Sequence, residues 1–309
     1  MSRVSTTGNY QSALLDLMAS QQRQADASKR VSTQKVATDL TGFGRGAETL
    51  TALKGAVSRV QGFLDTGEVV AARLGAQDLA LNQVIDGVGG AREAIGSVLA
   101  SDSAGTLMLE LEGYFQSVSN GLNARHQGGY LFAGADTDNA PVSVGTLSDL
   151  AAAASVASTF GNDTIKPVSR VAENTSVETG YLASDLGTDI FQIFRDIKAY
   201  HDDPATGPLT GKPTDTQKAF LVAQLSRLDA AKVETIDVAS RNGSLQKRID
   251  QMTVSHTAQI TALNGLVSDR TDADLAQAVT DLQLSQIAVQ ASAQVVSQLR
   301  EVSLLNYLR

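Results

Sequence analysis

Residues 50–99 read LTALKGAVSRVQGFLDTGEVVAARLGAQDLALNQVIDGVGGAREAIGSVL. A strict 3-4 alternation from Leu50 lands on Leu53, Val57, Val60, Leu64, Gly67, Ala71, Leu74, Asp78, Leu81, Ile85, Val88, Arg92, Ile95 and Leu99, and only Gly67, Asp78 and Arg92 are not apolar. Such a seam predicts one long helix of coiled-coil type, about 75 Å in length at 1.5 Å per residue. The same stretch holds eight Gly. Each costs about 1 kcal/mol relative to Ala inside a helix, so packing against partner helices has to hold it.

Outward from this segment, all five Pro (Pro141, Pro167, Pro204, Pro208, Pro213) fall in one window, leaving the first 140 and last 96 residues free of Pro. Pro breaks helix interiors, so the pattern predicts two helical arms with irregular or β structure between them. Leu107, Leu111, Tyr114, Val118 and Leu122 predict another helix, as do Leu221, Leu225 and Leu228, followed by a segment from Leu245 to Val267 interrupted at Asn242-Gly243. Gly128 to Gly134 reads as a Gly-flanked short strand, and Val168 to Val171 as another. The loop from Asp202 to Pro213 separates helices.

The last 39 residues, from Thr271, contain neither Gly nor Pro. Thr271, Asp272, Ala273 and Asp274 offer a helix start with acidic first-turn residues. Two apolar seams then run along it. One is Leu275, Val279, Leu282, Gln286, Val289, Ala293 and Val296; the other is Leu284, Ala288, Ala291, Val295, Gln298, Val302 and Leu305. Leu282 and Leu284 are about 200° apart at 100° per residue, which puts the seams on opposite faces. A helix apolar on both sides needs two partners: its own N-terminal arm, and a neighbouring subunit or second helix layer. The N-terminal arm carries heptad-like positions at Tyr10, Leu14, Leu17, Gln21, Gln24, Ser28 and Val31, with only 7 Leu, Ile, Val or Phe in its first 40 residues. That is below the roughly 20% line under which a chain tends to disorder, so both termini are expected to be mobile in the free monomer and to order on assembly.

Composition narrows the function. The chain has 309 residues, 5% aromatic side chains, no Trp, no Cys and a formal charge of -8. Without Cys there are no disulfides, thiolate metal sites or Cys nucleophiles, and the acidic balance argues against nucleic acid. No apolar run reaches membrane-spanning length, and no basic n-region precedes an apolar segment at the start, so neither membrane insertion nor a signal peptide is expected. Gly42-Phe43-Gly44-Arg45-Gly46-Ala47 fits a permissive dinucleotide pattern, but the polar stretch before it is no buried strand. Asp136 to Asn139 opens like a calcium loop whose sixth position is Pro141 and twelfth Leu147, so it reads as a turn. His126, His201 and His256 are scattered, and His256 shares a face with Leu245, Ile249 and Met252. No nucleophile elbow, zinc-protease or P-loop motif occurs. No catalytic, cofactor or metal site is expected, and no enzyme activity. Asn162, Asn174 and Asn242 begin sequons of the kind that chance supplies in a Ser- and Thr-rich chain.

Several segments resemble the bacterial flagellin family: Arg3-Val4-Ser5-Thr6 with Tyr10, Ala47-Glu48-Thr49-Leu50 leading into the long helix, and Asp272-Ala273-Asp274-Leu275-Ala276 through Gln290-Ala291-Ser292 to Ser303-Leu304-Leu305-Asn306-Tyr307-Leu308. Arg241-Asn242-Gly243 with Arg248 resembles that family's Gly-centred helix break. Tyr130-Leu131-Phe132-Ala133-Gly134 with Thr137 and Pro141, and Arg170-Val171, Val177 and Gly180 before Gly187-Thr188-Asp189-Ile190-Phe191, are more similar to its hook-filament junction branch than to filament subunits. After the first helix, Ala37 to Gly44 departs from the family's usual loop.

The resemblance implies a structural axial protein of the flagellum, with a mainly α fold of long antiparallel coiled-coil helices and a small inserted β-rich domain. The expected divisions are 1–41 plus 270–309 for terminal assembly, 42–135 plus 182–269 for a helical bundle, and 136–181 for the insert. It also implies extracellular placement after export by the flagellar secretion system, and a homo-oligomeric ring or short tube. The implied partners are another hook-associated protein on one side, flagellin on the other, and an export chaperone on the C-terminal helix. The expected assembly residues are Tyr10, Leu14, Leu17, Leu275, Val279, Leu282, Leu284, Val289, Val295, Val296, Val302 and Leu305. A filament flagellin and a cytoplasmic coiled-coil regulatory module stay open as alternatives.

Overall fold

The computed structural model describes residues 2–305, with side chains over residues 8–300. It is mainly α: α1 (Ser2–Thr33), α2 (Ala47–Ser101), α3 (Leu107–Leu122), α4 (Leu147–Ala152), α5 (Ala183–Asp202), α6 (Asp215–Thr271) and α7 (Leu275–Leu305). Two small antiparallel hairpins complete it, β1 (Arg125–His126) with β2 (Gly129–Tyr130), and β3 (Val168–Ala172) with β4 (Thr175–Glu178). The chain divides into two compact units, residues 1–59 with 258–309, and residues 60–257. The chain passes from one to the other within α2 and again within α6.

The α2 seam behaves as its spacing predicts, since every one of its positions from Leu50 to Leu99 is buried or half-buried. Beyond Val70 the buried face widens to include Gln77, Ala80, Val84, Ala91, Ala94 and Val98, because α3, α5 and α6 contribute to the same core. Three glycines let α3 lie against α2. A Cβ on Gly87 would stand 2.7 Å from Val118 Cγ2 and 3.1 Å from the Tyr114 carbonyl; one on Gly121 would stand 2.9 Å from Val84 Cγ2 and 3.1 Å from the Ala80 carbonyl. One on Gly90 would run into the Tyr114 ring. The pairing of 87 with 118 and of 80–84 with 121 makes the two helices antiparallel, at a separation that side chains would forbid.

Around this pair, Phe115 packs on Phe191 and Phe194 with ring centroids 5.0 and 5.5 Å apart, and Phe160 meets Phe191 at 5.0 Å. Val142, Leu147, Leu150 and Val156, all within residues 136–181, belong to that same cluster. Val171 and Val177 of the β3–β4 hairpin join Val70, Leu74 and Ile249 in a second, smaller one. His256 is buried there, its Nε2 hydrogen-bonded to the Val171 carbonyl at 2.9 Å and its ring stacked on Phe63. At the β1–β2 turn, Gln127 and Gly128 both have positive φ (50° and 89°), as a two-residue primed turn requires.

The expected interruption at Asn242-Gly243 does not occur: α6 runs unbroken from Asp215 to Thr271. Asn242 is fully buried and its side-chain amide donates 2.9 Å to the Leu74 carbonyl, which ties the helix to α2 where a break was expected. The same burial removes Asn242 as a glycosylation site. The start of the last helix also differs. Thr271 closes α6, and α7 begins at Leu275, capped by Asp274, whose Oδ1 accepts from the N–H groups of Ala276 (2.9 Å) and Gln277 (3.2 Å).

In the first unit α1 and α7 pair antiparallel, closed by a short clasp. Val36 N–H donates 2.7 Å to Thr271 O, Ala273 N–H donates 2.9 Å to Gln34 O, and Lys35 pairs with Asp272. The Lys35 ammonium, then the Ser268 and Thr271 hydroxyls, lower the Asp272 carboxyl to about 2. A carboxylate whose folded pKa is depressed contributes stability above its unfolded value, and that contribution fades as pH falls toward the folded one. Unfolding midpoints of wild type and Asp272→Asn are therefore expected to differ at neutral pH and to converge between pH 3.8 and about 2. Parallel curves across that range would remove the ion pair from the clasp's stability.

Candidate assembly interface

The pairing of α1 with α7 runs through small side chains. On α1 the buried positions are Ala13, Ser20 and Ala27, seven apart, with Tyr10, Leu14, Leu17, Gln24 and Val31 half-buried beside them. On α7 they are Ala278 and Ser285, with Leu282, Val289, Ser292 and Val296 half-buried. The inner seam thus follows 10, 13, 17, 20, 24, 27, 31 rather than the expected 10, 14, 17, 21, 24, 28, 31, and both Gln21 and Ser28 are exposed. α7 makes the matching adjustment. It keeps Leu282, Val289 and Val296 inside but exchanges Leu275, Val279, Gln286 and Ala293 for Ala278, Ser285 and Ser292. Helix spacing depends on the side chains at the contact, so small residues at every heptad allow close approach and turn larger apolar ones outward.

A second set of apolar side chains forms an outer stripe. Leu284 and Ile287 are each 61% exposed and Val295 49%, with Ala291 exposed between them. On α1, Leu15 and Met18 are 67% and 61% exposed. Leu275 and Val279 are exposed near the start of α7. Of the expected assembly residues, Tyr10, Leu14, Leu17, Leu282, Val289 and Val296 lie on the inner, intramolecular seam, whereas Leu275, Val279, Leu284 and Val295 face outward. Val302 and Leu305 lie outside the described side chains. Leu15, Met18 and Ile287 were missed, although their spacing from Leu284 or from each other is helical. Beside Leu284 runs a groove of about 440 Å³ whose charges alternate in sign, Arg23 and Arg30 against Asp26 and Asp281.

Elsewhere the candidate chemical motifs are structural. Residues Leu40–Gly46 form a 3-10 stretch whose start is capped by Asp39, which accepts from Gly42 N–H at 3.0 Å. The Asp136 carboxylate accepts from the Asn139 amide at 3.0 Å, closing a turn. His201 Nδ1 accepts from Leu209 N–H at 3.1 Å. Among the described residues no cluster of three His, Asp or Glu is placed to hold a metal, and no helix is long and apolar enough to cross a membrane.

Residues 225–308, which take in most of α6 and all of α7, match the bacterial flagellin C-terminal helical region. The chain is also similar in fold to a putative flagellar hook-associated protein from Vibrio parahaemolyticus, with TM-score 0.59 and 18% identity over 76% of this chain and 99% of that one. Bacillus cereus FlgL gives 0.54 and 14%, over 70% and 99% of the two chains. Xanthomonas campestris FlgL gives 0.53 and 16%, over 70% and 98%. No curated relative matches in sequence. At such identities the likeness is one of fold, and it extends well upstream of the segment that the family match covers.

Proposed function

We propose that this flagellin-type chain is a non-enzymatic structural subunit of the bacterial flagellum that joins hook to filament through its terminal helices. The observation that carries the reading is the outer apolar stripe on α7, Leu284, Ile287, Ala291 and Val295, left uncovered by an α1–α7 pair that closes on small residues. A stripe of this kind is the form in which a helix pair accepts further helices. Fold likeness to hook-associated proteins favours the junction over the filament. The subunits then form a ring or short tube between another hook-associated protein and flagellin, outside the cell, after export by the flagellar secretion system. A chaperone that masks the stripe before export completes the set of partners. In the finer division of the chain, residues 1–41 with 270–309 assemble and residues 136–181 face outward.

Cells lacking the protein are expected to carry bare hooks and to shed flagellin into the medium, read by electron microscopy and an immunoblot of the supernatant. Normal filaments would overturn the junction role. Filaments of altered form would favour the second reading, a filament flagellin, to which the match over residues 225–308 lends weight.

A further inference from the structure

Arg73 stands on α2 beside the β1–β2 hairpin without a counter-charge. Its Nη2 reaches only the Leu131 carbonyl, at 3.4 Å, and its Nε is buried with no partner. Two other guanidiniums along the bundle are matched, Arg92 by Asp229 and Arg227 by Asp196. Burial pushes the Arg73 pKa down, and no nearby acid opposes the shift. Desolvating a charge without a partner is costly, and a site that does so is built for something that brings the opposite charge.

Arg73 lines a cavity of about 350 Å³ together with His126, Tyr130, Thr137 and Asp138. His126 Nε2 is also buried and unpartnered. A second guanidinium, Arg125, lies 4.4 Å over the Tyr130 ring, adding positive potential beside the same cavity. Asp138 lines the cavity but forms no ion pair with Arg73 among the described residues. In a chain with 33 acidic and 25 basic side chains, a half-buried guanidinium that no acid has paired with runs against the overall balance.

We propose that this cavity is a carboxylate-binding site in which Arg73 supplies the fork. Guanidinium geometry matches a carboxylate in bidentate fashion, which a point charge cannot do. The carboxylate comes either from a small free acid or from an Asp or Glu of a second copy of this chain; the latter source rests on the assembly reading above, the former does not.

The test uses the full chain, with sodium acetate as probe and sodium chloride at equal ionic strength as control. If the source is a free acid, about 100 mM acetate raises the thermal midpoint of the wild-type monomer by about 2–4 °C and leaves Arg73→Gln unmoved. If the source is a second copy, acetate is silent on the monomer, and Arg73→Gln weakens self-association about tenfold. In both cases the Arg73→Gln monomer is no less stable than wild type, since it loses an unpaired charge; an arginine with a purely structural role would lose stability instead. Arg73→Lys, which keeps the charge but not the fork, separates loss of folding from loss of recognition. Acetate-independent midpoints together with unchanged self-association in Arg73→Gln would overturn the site.

Discussion

Val295→Asp is expected to abolish assembly while leaving the monomer folded. Val295 is exposed on the outer stripe, so in the isolated chain the new carboxylate is hydrated and costs little. On assembly it has to be buried against another helix without a partner, which costs about 3 kcal/mol or more per interface. At 1.4 kcal/mol per tenfold, each contact weakens at least ~100-fold, and the loss repeats at every subunit. Helix content by circular dichroism should match wild type, and electron microscopy should find no rings or filaments. Leu282→Asp makes the informative contrast. Leu282 is half-buried on the seam facing α1, so that variant should loosen the α1–α7 pair itself and lose helix content in the monomer. If Val295→Asp assembled normally, the outer stripe would not be the assembly surface, whatever Leu282→Asp did.

This contrast depends on knowing which seam is inside, and that is where sequence reasoning stopped. The apolar periodicity of α7 shows two stripes but not their ranking, because both contain Leu and Val at heptad spacing. The structure keeps Leu282, Val289 and Val296 of the first stripe inside and fills the places between them with small residues. Ala278, Ser285 and Ser292 turn inward against Ala13, Ser20 and Ala27, and the bulkier Leu275, Val279, Leu284 and Val295 stay out. A reading that counts large apolar residues selects the neighbouring register. It does so on both helices, which is why Gln21, Ser28, Gln286 and Ala293 fall on the expected inner seams although they are exposed.

The long elements were more legible. α2 and α3 follow their seams, and the β3–β4 hairpin falls where Val168 to Val171 suggested a strand. Asn242-Gly243 misled because the dipeptide has strong turn chemistry on its own, and the bond from Asn242 to the Leu74 carbonyl, across 168 residues of sequence, cannot be read locally. α5 went unnamed, though Leu186, Ile190, Phe191, Ile193, Phe194 and Ile197 all lie in the core. Its helical spacing was available, and it lies in the 182–269 part expected to be helical, between Gly180 and Pro204. Arg73 left no trace in the sequence either. An arginine on an amphipathic helix looks like any other until its partners are counted in three dimensions.

The glycines of α2 separate intrinsic propensity from packing, and they give the largest effect expected on stability. Gly75 and Gly87 lie in the same helix and the same compact unit. Propensity alone predicts that Gly→Ala stabilises either by up to ~1 kcal/mol. A Cβ at Gly75 meets nothing within 4 Å, so Gly75→Ala should raise the urea midpoint. At Gly87 the added carbon would lie 2.7 Å from Val118 Cγ2, with the α3 backbone close behind at Tyr114 O and Val118 N, 3.1 and 3.3 Å away. Val118 cannot retreat, being fully buried among Val84, Val88 and Phe115. Gly87→Ala should therefore lower the midpoint, and Gly87→Leu should cost about 3 kcal/mol or more by forcing α3 off α2. Gly121→Leu strikes the same contact from the other helix, through Val84 and the Ala80 carbonyl. The two leucine variants combined should therefore cost less than the sum of their separate effects, because the first has already paid for the separation of the helices. Strict additivity, or a stabilised Gly87→Ala, would mean that α3 does not rest on α2 through these glycines.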